Sequence, residues 1–226
     1  MIAIIPARSG STQLKDKNLK KINKKPLIYY SILTALRSKH ISKCIVTTDS
    51  KKIAKIAKYY GAEAPFLRPK KISSKNSLSI DAYLHAINSL EKNTKKKVDN
   101  FIVLQPTSPI RSIKIIDKAI KLYSSKKIKF MISVGEIISK KYVFETNKNL
   151  MIKKRSVSLI NRQNLKKTFY PNGNFFIINT KELLKKRTFY TNKTYLYKIP
   201  KHLSFDIDDK EDFDLVKKII EKKLWF

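Results

Sequence analysis

The feature that most constrains this chain is an alternation, begun at the second residue, of short apolar runs with amphipathic stretches. Ile2 to Ile5 is an apolar run that stops at Pro6; CIVTT (44–48), FIVLQ (101–105) and FMISV (130–134) repeat the pattern. Between them, LIYYSILTALRSK, KKIAKIAKYY, a segment from Ser79 to Leu90 and another from Ile113 to Tyr123 carry apolar residues at helical spacing. Pro26 suits a first helical position, Asp49 and Ser50 are helix-cap candidates, and Gly61 stands where a left-handed terminating residue is wanted. A short strand is expected around Ala64–Leu67, NFFII (174–178) is a further core strand, and a last helix runs from about Lys210 to Lys223. Short buried strands separated by helices of about 10–13 residues predict an α/β fold, its mainly parallel sheet covered by helices on both faces. The stretch 140–168 breaks the rhythm with weak alternation (YVFE, LMIKK, VSLI), an excursion of short strands. With 226 residues, 42% of them hydrophobic, the chain reads as one domain over 1–226 built on one core.

Several function classes fall away on composition. No run approaches the roughly 18–20 apolar residues of a membrane span. The start, MIAIIPARSG, turns polar too soon for a secretory signal, and the single Cys44 excludes an internal disulfide or a cysteine-built metal site. A cytoplasmic protein without a membrane partner is expected. The formal net charge of +33 would suit a nucleic-acid binder, which would bind with steep salt dependence. Yet 43 of the 50 basic residues are Lys, scattered in pairs and triplets along the whole chain rather than gathered on one segment. A solvated lysine-rich surface is the better reading, and no nucleic-acid partner is expected.

In parallel sheets of this kind ligands bind beyond the carboxyl ends of the strands. Three polar segments lie there: Ala7–Asn18, Thr47–Ser50 and Pro106–Arg111. The first offers Ser9, Gly10 and Ser11 for close backbone approach, with Arg8 and Lys17 as cations for phosphate oxygens. It fits neither the P-loop nor the dinucleotide fingerprint. In QPTSPIR (105–111), two prolines stiffen the backbone around Thr107 and Ser108, which suits rigid display of Gln105, hydroxyls and Arg111 to an anionic ligand. The same residues also read as a helix entry, with Ser108 as cap and Ile110 packed inward. His40, His85 and His202 are isolated and read as structural or surface residues, and no nucleophile–histidine arrangement is evident.

Acidic residues are scarce, and six of the 17 fall within FDIDDKEDFD (205–214). Asp206 and Asp208 have strand spacing, so both carboxylates project to one side with Ile207 turned away. Such a pair can hold Mg²⁺, which takes one or two carboxylates and completes its shell with phosphate oxygens and water. Asp209, Glu211 and Asp212 read instead as charges at the amino end of the last helix.

Taken together, IIPARSGS…KN, KPLIYYSI, VTTDS, FLRP, LQPTSPIR, RQNLKKTFYPNG and SFDIDD resemble, in this order, the CMP-N-acylneuraminate synthetase family with its legionaminic and pseudaminic acid relatives. The resemblance runs from residue 2 to about residue 220; that to the KDO cytidylyltransferases, which use an eight-carbon acid, is weaker. It implies a Rossmann-like nucleotide-diphospho-sugar transferase fold, with 140–168 as a dimerisation excursion of a homodimer. It also implies a reaction of CTP with a nine-carbon acidic sugar, dependent on Mg²⁺, giving the CMP-sugar and pyrophosphate. By this likeness Arg8, Ser11, Lys17, Asn18, Arg68 and Ser79 hold the nucleotide, and Asp206 and Asp208 the metal. Gln105, Ser108, Asn172, Phe176, Phe189, Tyr190 and Arg162 serve the sugar, Arg162 through its carboxylate. Arg8, Lys17 and Asp208 carry the catalysis; the base for the anomeric hydroxyl is either Asp208 or an oxygen activated by the metal. Four of the seven arginines (Arg8, Arg68, Arg111, Arg162) fall in these motifs, which favours anion recognition.

The chain departs from the family pattern in the first loop, where Thr12, Gln13 and Lys15 replace Lys, Gly and Pro, and at Lys75, where an acidic residue is usual. One phosphate cation is lost from the loop, so slower turnover, or a CTP-binding relative without catalysis, is a second expectation.

Overall fold

The computed structural model describes residues 1–10, 13–137 and 167–223, and the backbone of 145–146 and 152–154. Strand β1 (Ile2–Pro6) is followed by a 3-10 turn (Lys17–Leu19) and a two-stranded ribbon of β2 (Lys21–Ile22) and β3 (Lys25–Pro26). Next come α1 (Leu27–Arg37), β4 (Lys43–Thr47), α2 (Lys51–Tyr59), α3 (Ser79–Thr94), β5 (Asn100–Val103), α4 (Ile113–Ser125) and β6 (Phe130–Ile137). A small antiparallel pair, β7 (Glu145–Thr146) and β8 (Ile152–Lys154), precedes the long β9 (Thr168–Asn179). The chain closes with α5 (Thr180–Lys186), β10 (Tyr195–Lys198) and α6 (Lys210–Glu221).

The main sheet has the order β10-β6-β9-β5-β1-β4. β1 runs parallel to β4 and β5, and β10 parallel to β6, while β9 is antiparallel to both β5 and β6. Side chains alternate cleanly between the faces. Ala3, Ile5, Ile102, Met131 and Ile177 face one core, which also takes the apolar stripes of α1, α2, α4 and α6. Ile4, Phe101, Val103, Phe130 and Ile178 face the other, against α3 and α5. Helices thus cover both faces, as the alternation predicts.

Three expectations change. Ala64–Leu67 is not a strand; the chain there makes only isolated bridges, Ile45 to Glu63 and Thr48 to Leu67, with prolines at 65 and 69 denying it a ladder. The core strand expected at 174–178 begins at Thr168, because the Pro-Asn-Gly sequence that signals a turn is carried inside β9 by a bulge opposite Ser133. Ser108 does not cap a helix: the N-cap of α4 is Ser112, four residues later, although Ile110 does pack inward. At α2, Ser50 is the cap, its Oγ accepting from the Ile53 N–H at 3.3 Å, and Asp49 is released for another role. Asp209 caps α6 in a reciprocal arrangement with Asp212, as read from the acidic cluster.

Candidate active site

The loops after β1, β4 and β5 meet the Phe205–Asp209 segment at the carboxyl ends of the parallel strands. A cleft of about 310 Å³ opens there, lined by Arg8, Lys17, Asn18, Arg68, Lys75, Ser79, Tyr83 and Gln105, among others. The cleft lies at the strand ends where the sequence reading expects a ligand.

The first loop is pinned to the rest of the cleft by its own polar groups. The Ala7 N–H donates to the Thr47 carbonyl at 3.0 Å, and Asn18 Nδ2 donates to the Arg8 carbonyl at 2.9 Å. Lys17 Nζ donates to the carbonyl oxygens of Ile207 and Asp208 at 2.6 and 3.2 Å, joining the basic loop to the acidic segment. Ile207 is fully buried and its N–H donates to the Thr107 carbonyl at 2.8 Å, while Asp206 and Asp208 on either side are exposed. The two carboxylates therefore project away from the core, as their spacing predicts, although the segment is not part of a strand.

Asp206 is held by Ser108, whose Oγ donates to Asp206 Oδ1 at 3.0 Å, and Ser108 is itself buried. Gly173 makes this approach possible. It takes φ +69°, and a Cβ there would stand 2.6 Å from both Gln105 Oε1 and Ser108 Oγ and 3.4 Å from Asp206 Oδ2. The β9 bulge thus delivers a bare backbone to the point where the β5 loop and the acidic segment meet.

Arg68 is buried, its Nε donating to Ser73 Oγ at 2.9 Å and its N–H to the Thr48 carbonyl at 2.8 Å. Burial pulls its pKa down, opposed by the Asp49 carboxylate and assisted by the Arg8 charge. Tyr83, one helical turn beyond Ser79, floors the cleft with the Ser79 and Gln105 side chains at its hydroxyl, and burial raises its pKa to about 12. It stays a neutral donor at physiological pH. Sequence reasoning missed Tyr83, although its i, i+4 spacing from Ser79 puts both on one face of α3.

Arg111 corrects an expectation of anion recognition. Its guanidinium is buried and fully used: Nε donates to the Asn174 carbonyl at 2.7 Å, Nη1 to Ser31 Oγ at 2.9 Å and Nη2 to the Gln105 carbonyl at 2.6 Å. Burial lowers its pKa while the Asp206 charge raises it, and the group remains cationic at neutral pH. It braces the strand ends from behind and has no donor aimed at the cleft.

The sugar-site expectations divide. Gln105 lines the cleft. Asn172 is buried beneath it, its amide spanning Ser133 Oγ at 2.7 Å and Ser204 Oγ at 2.9 Å. Phe176 and Phe189 are buried in the second core with ring centroids 5.2 Å apart, and the Phe189 ring lies tilted against that of Tyr190 at 4.7 Å, Tyr190 being exposed. Ser11, Thr12 and Arg162, with most of the 140–168 excursion, lie outside the described residues.

Among the described residues no group of three or more His, Cys, Asp or Glu converges on a common point. The candidate for holding a cation is the Asp206–Asp208 pair, with Asp206 oriented by Ser108. That donor set fits Mg²⁺, whose other ligands are commonly phosphate oxygens and water.

A profile of the cytidylyltransferase family matches residues 2–226. The chain belongs to the cytidylyltransferase family. It is 35% identical over 227 residues to an N-acylneuraminate cytidylyltransferase of Escherichia coli O18:K1:H7, covering 99% of this chain and 52% of that one. The chain thus spans about half the length of that relative. It is 32% identical to a CMP-N,N'-diacetyllegionaminic acid synthase of Legionella pneumophila, over 98% of this chain and 96% of that one. Among solved structures, a CMP:2-keto-3-deoxy-manno-octonic acid synthetase complexed with CTP superposes with a TM-score of 0.72 at 14% identity, covering 98% of each chain. That likeness concerns the fold.

Proposed function

We propose that this chain transfers the cytidylyl group of CTP to the anomeric hydroxyl of a nine-carbon 2-keto sugar acid, giving the CMP-sugar and pyrophosphate. The observation that carries this reading is the tie that Lys17 makes from the Arg8–Asn18 loop, which lines the cleft, to the backbone of the Asp206–Asp208 segment. The names of the two relatives, one acting on an N-acylneuraminate and one on a legionaminic acid, support the substrate class.

In this reading the anomeric oxygen forms a bond to the α-phosphorus as the bond from the α-phosphorus to the pyrophosphate oxygen breaks, and the hydroxyl proton leaves to a base. Arg8 and Lys17 offset the charge on the phosphate oxygens, and their anchored backbones need no reorganisation as that charge shifts. Arg68, Ser79 and Tyr83 provide the polar wall for the nucleoside, and Gln105 stands at the junction with the sugar. Asp206 and Asp208 would hold Mg²⁺, which supplies Lewis-acid polarisation of the phosphate. Ser108 keeps Asp206 oriented, and Asp208, exposed beside it, is also placed to take the proton.

A homodimer with Arg162 on the sugar carboxylate belongs to the same proposal and rests on the resemblance alone, as does a cytoplasmic location, where CTP is made. Among the described residues no helix is long and apolar enough to cross a membrane. A nucleic-acid partner is not proposed, since the +33 charge alone gives no reason for the carboxylate pair. The test is Mg²⁺-dependent pyrophosphate release from CTP over nonulosonic acids and KDO, with and without EDTA. Release with a nine-carbon acid supports the reading, and release with KDO alone replaces it with the eight-carbon one.

A further inference from the structure

Asp49 was free to be a helix cap and is not one. Ser50 takes that position on α2, and the Asp49 carboxylate instead crosses to the loop after β1. There the Ser9 N–H donates to Oδ1 at 2.8 Å and the Ser9 hydroxyl to Oδ2 at 2.6 Å, so one carboxylate holds both donors of one residue. The pairing of β1 with β4 ends at Pro6 and Thr47, with a last backbone bond from Ala7 to Thr47. The Asp49–Ser9 clasp extends that pairing two residues further, into the loop.

The consequence falls on Arg8. Its neighbour on one side is fixed by Thr47, its neighbour on the other by Asp49, and its own carbonyl by Asn18. The same turn serves the second arginine of the cleft, because the Thr48 carbonyl accepts from the Arg68 N–H and the Asp49 charge acts on the Arg68 guanidinium. Two arginines from loops 60 residues apart are thereby referred to one two-residue turn.

Resting on the cytidylyltransferase reading, we propose that Asp49 is a positioning residue for the nucleotide triphosphate: by clasping Ser9 it sets Arg8 on the phosphates. It does not touch the nucleotide. Its carboxylate, held by charge-assisted hydrogen bonds, fixes the backbone from which the cation reaches.

The test combines CTP binding by calorimetry in Mg²⁺ with hydrogen exchange at the Ser9 amide, on the full chain. Asp49→Ala should speed Ser9 exchange and weaken CTP binding about tenfold, the scale of a lost charge-assisted hydrogen bond. In steady state it should raise KM for CTP and also lower kcat, because Arg8 acts on the phosphates in the bound complex and as their charge shifts. Asp49→Asn keeps one acceptor for the Ser9 N–H and gives a donor to a turned Ser9 hydroxyl, so it should restore most of the affinity. Ser9→Ala, which leaves Asp49 intact, should weaken binding in the wild type and have no further effect beside Asp49→Ala, because interacting residues are non-additive. Asp49→Ala binding CTP as the wild type does, or Ser9→Ala and Asp49→Ala acting additively, would overturn the proposal while leaving the enzyme's reading intact. Absence of CTP binding by the wild type itself would overturn both.

Discussion

The ammonium of Lys17 donates to the carbonyl oxygen of Ile207 at 2.6 Å across 190 residues of chain. That bond ties the first loop of the fold to its last loop, and it does so beside the two carboxylates, which point outward because Ile207 between them points in. On the proposed reading this lysine serves both the phosphates and the acidic segment, so it should be sensitive to replacement. Lys17→Met should lower kcat/KM for CTP about 100-fold or more, a loss on the scale seen when a preorganised electrostatic group is removed from a site. Arg at 17, planar and longer, should restore little of it, since it cannot reproduce the point contact on two carbonyls. Initial rates at saturating sugar acid and varied CTP measure both.

Asp208→Ala should abolish turnover without a loss of stability. The carboxylate is exposed, so its removal leaves no unpaired buried group behind. Asp206→Ala should behave similarly in turnover and also free the Ser108 hydroxyl, at a cost of about 1 kcal/mol. Urea unfolding beside pyrophosphate release separates the two effects.

Gly173→Ala should be a stability mutation. At φ +69°, with the new methyl 2.6 Å from Gln105 Oε1 and Ser108 Oγ, it combines a strained backbone with an unrelieved contact. Destabilisation of about 1–3 kcal/mol, read as a shift in the urea midpoint, is expected.

Much of this was legible in the chain before its structure, and the failures have definite causes. Periodicity located the strands and helices because both faces of the sheet are covered, so the strands had to be continuous apolar runs and the helices apolar at every third or fourth residue. The i, i+2 spacing of Asp206 and Asp208 predicted their common side, and burial of Ile207 agrees. Arg111 misled because a guanidinium in a polar loop looks the same in sequence whether it meets a ligand or three protein acceptors. The strand expected at 174–178 came out short because Pro171 to Gly173 lie in a bulge inside β9, which residue pattern alone does not distinguish from a strand end. Asp49 and Ser50 are both competent caps, and only the third dimension reveals that Ser9 lies within reach of one of them. No pattern in the sequence encodes that contact.

The Asp49 clasp also carries a pH signature. Burial pushes its pKa up, but the Ser9 side-chain and backbone donors, its own N–H and the Arg68 charge more than offset this, leaving it below the ordinary carboxylate value. A carboxylate with a depressed folded pKa contributes stability above its unfolded pKa of about 3.9 and loses it as the pH falls through the folded value. The stability difference between wild type and Asp49→Asn should therefore be constant from neutrality down to about pH 4 and shrink below it. The charge that faces Asp49 is that of the Arg68 guanidinium from the neighbouring loop. Thermal unfolding of both proteins between these limits measures it, and a difference that does not change with pH would rule out the assignment.

Cys44 should be silent in the folded protein. It is buried in β4, and burial, reinforced by the Glu63 charge, raises its thiol pKa to about 12. A thiol-specific disulfide reagent at pH 8 should find no reactive group in the native chain and one in denaturant. Rapid native labelling would contradict the packing described for β4.

The central claim is that the basic loop and the carboxylate pair form one cytidylyl-transfer site. It is tested most directly by incubating the chain with CTP, Mg²⁺ and N-acetylneuraminic, legionaminic or pseudaminic acid, and measuring pyrophosphate and the mass of the nucleotide product together. The account expects one of these acids to give a CMP-sugar in equal amount to pyrophosphate, with neither formed by Asp208→Ala. Intact CTP with every acid, or pyrophosphate without a CMP-sugar, would contradict it.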